Sequence, residues 1–193
     1  MKKFVLISLL VLQGCASVQQ TKFYSLDTQI PSTSSQEQEN GFLTDKKPLI
    51  GVAQISLPSE LERKQIVTRD ISGTLNFAEQ HQWAGLLKQN MTEVLAKNLA
   101  MQQPEFWFKA YPWSLLGIVD YRLVIDVTRL EIVRGKSISF SFDWTILNEK
   151  THMILQHSSI DLSQPLADEN YATVVVGLNQ LLVKMTQKLA IKL

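Results

Sequence analysis

The chain has one cysteine, three histidines and almost no net charge, with 19 basic residues against 18 acidic ones over 193 positions. A single thiol excludes an internal disulfide and a cysteine-based metal site. Near-neutrality excludes the basic field that draws proteins onto nucleic acid. Catalytic motifs are missing as well. There is no His-Glu-x-x-His pair, no Gly-x-Ser-x-Gly elbow and no phosphate-cradling glycine loop. His152 and His157 sit five apart in a strand region and so point to opposite faces. Glu60 and Glu62, beside a strand end, read as a solvated turn and not as an acid–base couple. The chain is not expected to be an enzyme, nor to hold a metal. Long apolar runs are also lacking. The run Phe4–Leu12 spans only roughly 14 Å as a helix, against the ~30 Å of a hydrocarbon core.

That short run follows Lys2 and Lys3 and ends at Leu12-Gln13-Gly14-Cys15. A basic start, an apolar core and a small residue at the cut site read as a bacterial export signal. The last four residues resemble the lipobox of bacterial lipoproteins. That resemblance implies removal of residues 1–14 and a diacylglycerol plus an N-acyl chain, commonly palmitate, on Cys15. The rival reading is an ordinary secretory signal with an incidental cysteine. Each buried CH₂ contributes about 0.8 kcal/mol, and more than one chain makes anchoring stable. With residues 1–14 removed, 179 of the 193 residues remain. That length suffices for one domain with a real core. No other cofactor is expected.

Residues 15–22 read as a lipidated tether and 23–193 as a single domain. Phe23-Tyr24-Ser25-Leu26 is a brief β-prone run. Residues 27–48 are polar, aperiodic and carry Pro31, Gly41 and Pro48, as in a flexible loop. Strands are expected at Leu49–Ile55, Gln65–Arg69, Gly73–Phe77 and Glu105–Lys109. A helix is expected from His81 to Leu99, because Trp83, Leu87, Met91, Val94, Leu95 and Asn98 recur at helical spacing. Tyr121–Ile132, Ser137–Leu147 and His152–Leu162 form a meander, the first two alternating between apolar and polar residues. Asp168 is a candidate N-cap for a final helix to about Ile191, with Val174, Leu178, Leu181, Leu182 and Met185 on one face. The fold class is α+β: an antiparallel or mixed sheet with two helices packed on one face.

Several segments then line up with one family. Tyr24-Ser25-Leu26 lies just after the cysteine. Val52-Ala53-Gln54-Ile55-Ser56-Leu57-Pro58 leads into Leu61-Glu62-Arg63-Lys64-Gln65-Ile66-Val67-Thr68-Arg69. Trp83-Ala84-Gly85-Leu86-Leu87 and Tyr121-Arg122-Leu123 follow in order. The chain resembles the ABC-type transport auxiliary lipoproteins, the PqiC-like intermembrane transport lipoproteins, over nearly its whole mature length. It departs from the pattern at Gly85-Leu86, where a Glu-Pro-type pair is expected. The resemblance implies a periplasmic lipoprotein tethered to the outer membrane. It also implies an MCE-domain tunnel protein as partner, in systems that move lipid between two membranes. Ala16 and Ser17, with no Asp after the cysteine, favour outer-membrane delivery by the usual enteric sorting rule. Two other classes stay open: a periplasmic carrier that holds lipid in a cavity, and a structural envelope lipoprotein.

Two segments are the candidate partner surface. Arg63 and Arg69 flank a short strand and suit an acidic partner, or else form a plain solvated face. Phe106, Trp107, Phe108 and Trp113 are the densest aromatic cluster. A strand alternates its faces, so these rings cannot all enter one core. The surplus calls for cover by internal packing against a helix, by a second copy in a homo-oligomer, by a partner or by lipid.

Overall fold

The computed structural model describes residues 20–29, 47–113 and 117–193. The expected signal segment, Cys15 and most of the 27–48 loop lie outside the described residues. The elements run β1 (Lys22–Tyr24), β2 (Leu49–Val52), a 3-10 turn (Ser59–Leu61), β3 (Gln65–Arg69), β4 (Leu75–Trp83), α1 (Leu87–Gln102) and β5 (Trp107–Ala110). They continue with β6 (Tyr121–Val133), β7 (Ser137–Asn148), β8 (Ile154–Pro165) and α2 (Tyr171–Lys188). The class is α+β, as the sequence indicates. The strands form two sheets and not one: β1-β4-β3, and the larger β5-β2-β6-β7-β8.

The larger sheet is mixed. β5, β2 and β6 run parallel, and β6, β7 and β8 form the antiparallel meander. Alternation on β7 buries Ile138, Phe140, Phe142, Trp144 and Ile146, while Ser139, Ser141, Asp143 and Thr145 face outward. Both helices lie on the apolar side, where Leu95, Leu99, Leu178, Leu181 and Met185 meet the sheet residues in one core. Phe140, Phe142, Leu95, Leu99 and Ile146 are each 2% exposed or less, so the space between the layers is filled. No helix among the described residues is long and apolar enough to cross a membrane.

Two expectations need correction. The helix expected from His81 starts at Leu87, and residues 75–83 are strand β4. Trp83 does enter the core, but from the end of a strand. For the second helix the capping position is Asn170, and it makes no side-chain capping bond. Asp168 organises that turn from two residues upstream, accepting from the Asn170 N–H at 2.7 Å. Its carboxyl is held below the usual range, chiefly by a bond to the Thr173 side chain.

The long meander gives the molecule two ends, roughly 40 Å apart at the rise of a 13-residue strand. The near end carries the β6–β7 turn, Arg134 to Lys136, and the start of α2. The far end carries the β7–β8 turn, with Asp120, Leu49 and Trp107 alongside it.

Candidate partner-binding surfaces

The N-terminal segment enters at the near end. β1 lies parallel to β4, with Lys22 opposite His81 and Tyr24 opposite Trp83. The Tyr24 hydroxyl bonds the His81 Nδ1 at 2.8 Å. The His81 ring stacks on Tyr171 at 4.0 Å, and the Arg134 guanidinium covers Tyr171 at 4.8 Å. Burial first, then Lys22 and Arg134, push the His81 pKa below its ordinary value. Past Tyr24 the chain runs along the two helices, and asparagines satisfy its backbone. Asn90 accepts from the Leu26 N–H at 2.6 Å and donates to the Leu26 carbonyl at 3.1 Å. Asn179 accepts from the Asp27 N–H at 3.0 Å, and Asn98 accepts from the Thr28 hydroxyl at 2.5 Å. A backbone with no sheet partner needs such bonds once it is buried.

The aromatic segment divides as strand alternation requires. Phe106 and Phe108 meet edge-on at 6.2 Å and pack against the core. Trp107 points away and is 41% exposed. Trp113 folds back over the outer face of β2, its ring so close to Gly51 that a Cβ there would lie 3.1 Å from it. Glycine in a strand often marks such a close approach. Tyr111, 51% exposed, meets Trp113 edge-on at 5.4 Å. Internal packing and outward display therefore share one segment. Between it and α1 runs a groove of about 420 Å³ lined by Lys97, Phe108 and Tyr111.

Arg69 ends β3 of the other sheet and Arg63 lies just before that strand, and both are largely committed. Arg63 donates to the Glu60 carbonyl at 2.9 Å and covers the Phe77 ring at 4.0 Å. Arg69 donates to the Gly73 carbonyl at 2.6 Å and faces Glu131 at 3.5 Å. Glu131 also pairs with Arg129 at 2.6 Å, and its carboxyl is held low, chiefly by that bond. The structure thus does not join the basic and aromatic candidates into one patch. His157 faces Thr145 at 3.0 Å on the outer face of the sheet, and His152 lies in the β7–β8 turn with a φ of 58°.

The most apolar exposed surface is one that strand alternation alone does not single out. Met153, Ile154 and Leu155, at the far end, are 62%, 63% and 43% exposed. Ile118 is 90% exposed and sits two residues before Asp120, whose carbonyl accepts from the Glu149 N–H of the same turn. Leu193 is 47% exposed, next to Lys192, whose N–H reaches the Gln156 side chain at 3.1 Å. The signal in the sequence is the run Met153-Ile154-Leu155 itself. Met153 precedes β8, and of the adjacent pair Ile154 and Leu155 inside the strand, alternation forces one outward.

The family model described as ABC-type transport auxiliary lipoprotein component matches residues 24–190. The chain belongs to that family. It is a family of transport auxiliary lipoproteins. Among solved structures, an uncharacterized protein shares the fold with a TM-score of 0.71 at 18% identity, covering 89% of this chain and 97% of that one. A protein from Xanthomonas campestris has a TM-score of 0.66 at 15% identity, covering 88% and 92%. At such identities the likeness shows the fold alone. No curated protein matches the chain.

For an auxiliary lipoprotein, the arrangement has a direct reading. The chain reaches the domain at one end, and the apolar rim of Met153, Ile154, Leu155 and Ile118 lies at the other. Among the described residues no group of three or more metal-ligating side chains converges.

Proposed function

We propose that this auxiliary lipoprotein is anchored in the outer membrane through an acylated Cys15 and, from the periplasmic side, docks the MCE-domain tunnel protein of an intermembrane lipid transport system. The observation that carries the reading is the separation of the two ends. The N-terminal strand enters beside Lys22 and His81, and the apolar rim of Met153, Ile154, Leu155 and Ile118 lies at the opposite end of a sheet roughly 40 Å long. A tether at one end and a sticky rim at the other suit a protein that holds a second assembly at a set height over a bilayer. Interfaces favour methionine and aromatics at their centres, and a few such residues carry most of the binding energy. The filled core speaks for docking over carriage of a lipid inside the domain.

Site-specific photo-crosslinking in cells tests this. A photoreactive side chain at Met153 is expected to trap an MCE-domain protein, and one at Ser141, on the polar outer face, is not. Adducts from Ser141 but none from Met153, Ile154 or Trp107 would sink the proposed docking end.

A further inference from the structure

We infer that the near end is a membrane-contacting surface. In this inference Ile71 enters the lipid headgroup layer of the bilayer that holds Cys15, and Lys136 and Arg134 meet lipid phosphates beside it. The inference rests on the reading that Cys15 is acylated.

The first argument is direction and reach. β1 runs parallel to β4, so its N-terminal end points toward the β3–β4 turn and away from the far end. Cys15 is seven residues before Lys22 in the sequence, and Thr74, in that turn, is seven residues before His81. Seven residues reach at most about 25 Å. Whatever path the tether takes, the bilayer cannot lie much farther than that from Lys22. The near end is within that reach, and the far end, roughly 40 Å away along the sheet, is not.

The second argument is what this end displays. Ile71, at the tip of the β3–β4 turn, is 90% exposed. The turn that presents it is fixed. The Asp70 carboxylate accepts from the Ser72 hydroxyl at 2.6 Å and from the Thr74 N–H at 2.9 Å, and Gly73 supplies a φ of 95°. A bulky β-branched side chain held outward on a rigid turn gains nothing from water, but it gains from a headgroup layer. Phe23, on the entering strand itself, is 64% exposed.

The third argument is charge. Ile71 borders an open groove of about 580 Å³ between the β3–β4 and β6–β7 turns, lined also by Arg69, Asp70, Arg134, Lys136 and Glu169. Asp70 is consumed by its own turn, and Arg69 is engaged by Glu131 and the Gly73 carbonyl. Arg134 donates to the Glu169 carbonyl at 3.1 Å, leaving guanidinium N–H groups to spare. Among the described residues Lys136 has no ion-pair partner. Cations beside an exposed aliphatic side chain are the composition of a bilayer-interface surface.

The test uses the acylated protein in vesicles of phosphatidylethanolamine and phosphatidylglycerol. Acylation consumes the Cys15 thiol, so Ile71→Cys or Met153→Cys each offers one site for a polarity-sensitive fluorophore. Both positions are exposed, so neither substitution threatens the fold. With a nitroxide on the lipid headgroup, the Ile71→Cys label is expected to be quenched at least threefold more than the Met153→Cys label. Lys136→Glu in the Ile71→Cys background is expected to halve that quenching while flotation with the vesicles persists. Equal quenching at both sites on floating protein overturns the inference with the anchor intact. Stronger quenching at Met153 does the same and reverses the orientation. Quenching that Lys136→Glu leaves unchanged overturns the headgroup role of that cation. Protein that fails to float, its Cys15 open to the fluorophore, overturns the anchoring reading itself and the inference with it.

Discussion

At the near end nearly every group is tied to another element. Tyr24 bonds His81, His81 stacks on Tyr171, Arg134 covers Tyr171, and Arg69 reaches Glu131. At the far end Met153, Ile154, Leu155 and Ile118 stand largely in water. Apolar side chains in water contribute little to the isolated domain, and each is worth more once covered. The near end is therefore largely tied down within the chain, Ile71 and Phe23 apart, whereas the far end presents a run of adjacent apolar side chains for something else to cover. One end resists the pull of a tether, and the other is left ready for contact.

The strongest way to break this comparison is to remove the tether. Cys15→Ala is expected to abolish membrane association and leave a soluble or uncleaved periplasmic species. Fractionation checks it, and a variant that still sediments with the outer membrane would detach the near end from any anchoring role. The far end comes next. The double change Met153→Ser and Ile154→Ser is expected to weaken capture of the partner at least tenfold, about 1.4 kcal/mol or more. Circular dichroism should stay unchanged, because both side chains are already exposed. The matching near-end change, Phe23→Ser, should leave capture intact. If the double change and Phe23→Ser behave alike, the ends are not specialised.

How much of this contrast the sequence reveals depends on which face a residue's pattern reports. The meander is legible because β6 and β7 bury one face and wet the other, so alternation survives in the residues. β4 is not. Leu75–Trp83 is a largely half-buried strand whose polar run, Glu79 to Gln82, carries no clear period. Trp83 lies four residues before Leu87, so the helical rhythm of α1 extends backward into it by coincidence. No Ser, Thr, Asp or Asn marks the true start, since the capping position is Leu86. The partner of a three-residue strand such as β1 is a long-range fact that no local pattern carries. The aromatic segment is half legible. Alternation correctly requires Phe106 and Phe108 to part from Trp107, but the folding of Trp113 onto Gly51 depends on where the chain goes after Pro112. The asparagines that hold the N-terminal segment do leave a trace. Asn98, fully buried, stands in the apolar stripe of α1, where a polar side chain calls for a partner.

Those asparagines set the third prediction. Asn90→Ala removes both bonds to the Leu26 backbone, at 2.6 and 3.1 Å, while Leu26 itself stays buried. An unsatisfied buried backbone group costs about 1–3 kcal/mol. A denaturation midpoint should record a loss of that order, with faster exchange of the Leu26 amide. No loss would mean that the β1–β4 pairing, the His81 contacts and Asn98 and Asn179 hold the segment without Asn90.

A smaller effect distinguishes the ends by pH. The His81 pKa in the folded state lies below the unfolded value of about 6.5. The unfolded chain therefore takes up a proton first as pH falls. Stability from this group is complete above about 6.5 and declines as pH drops toward the lowered folded value. Replacing His81 with Gln should flatten this part of the stability profile, whereas Met153→Ser should not alter its shape. A wild-type profile that is level below 6.5 would show that the stack does not discriminate between the charged and neutral ring.

The smallest expected change in stability tests whether the far-end surface extends onto the aromatic segment. In Gly51→Ala the new Cβ would lie 3.1 Å from three atoms of the Trp113 ring, so the ring must give by a few tenths of an ångström. Trp113 is only partly buried and has room to lift. Against that cost stands the lower conformational entropy that alanine loses on entering a strand, worth about 0.5–1 kcal/mol over glycine. The two effects oppose each other, and the net change in stability should lie within about 1 kcal/mol. The ring and its edge-on neighbour Tyr111 will nevertheless be displaced, which tryptophan fluorescence can register. If Trp113 takes part in docking, partner capture should fall even though the domain is as stable as before. If capture is untouched while the fluorescence shifts, Trp113 is a cover for β2, and the contact surface ends at the Met153–Leu155 rim.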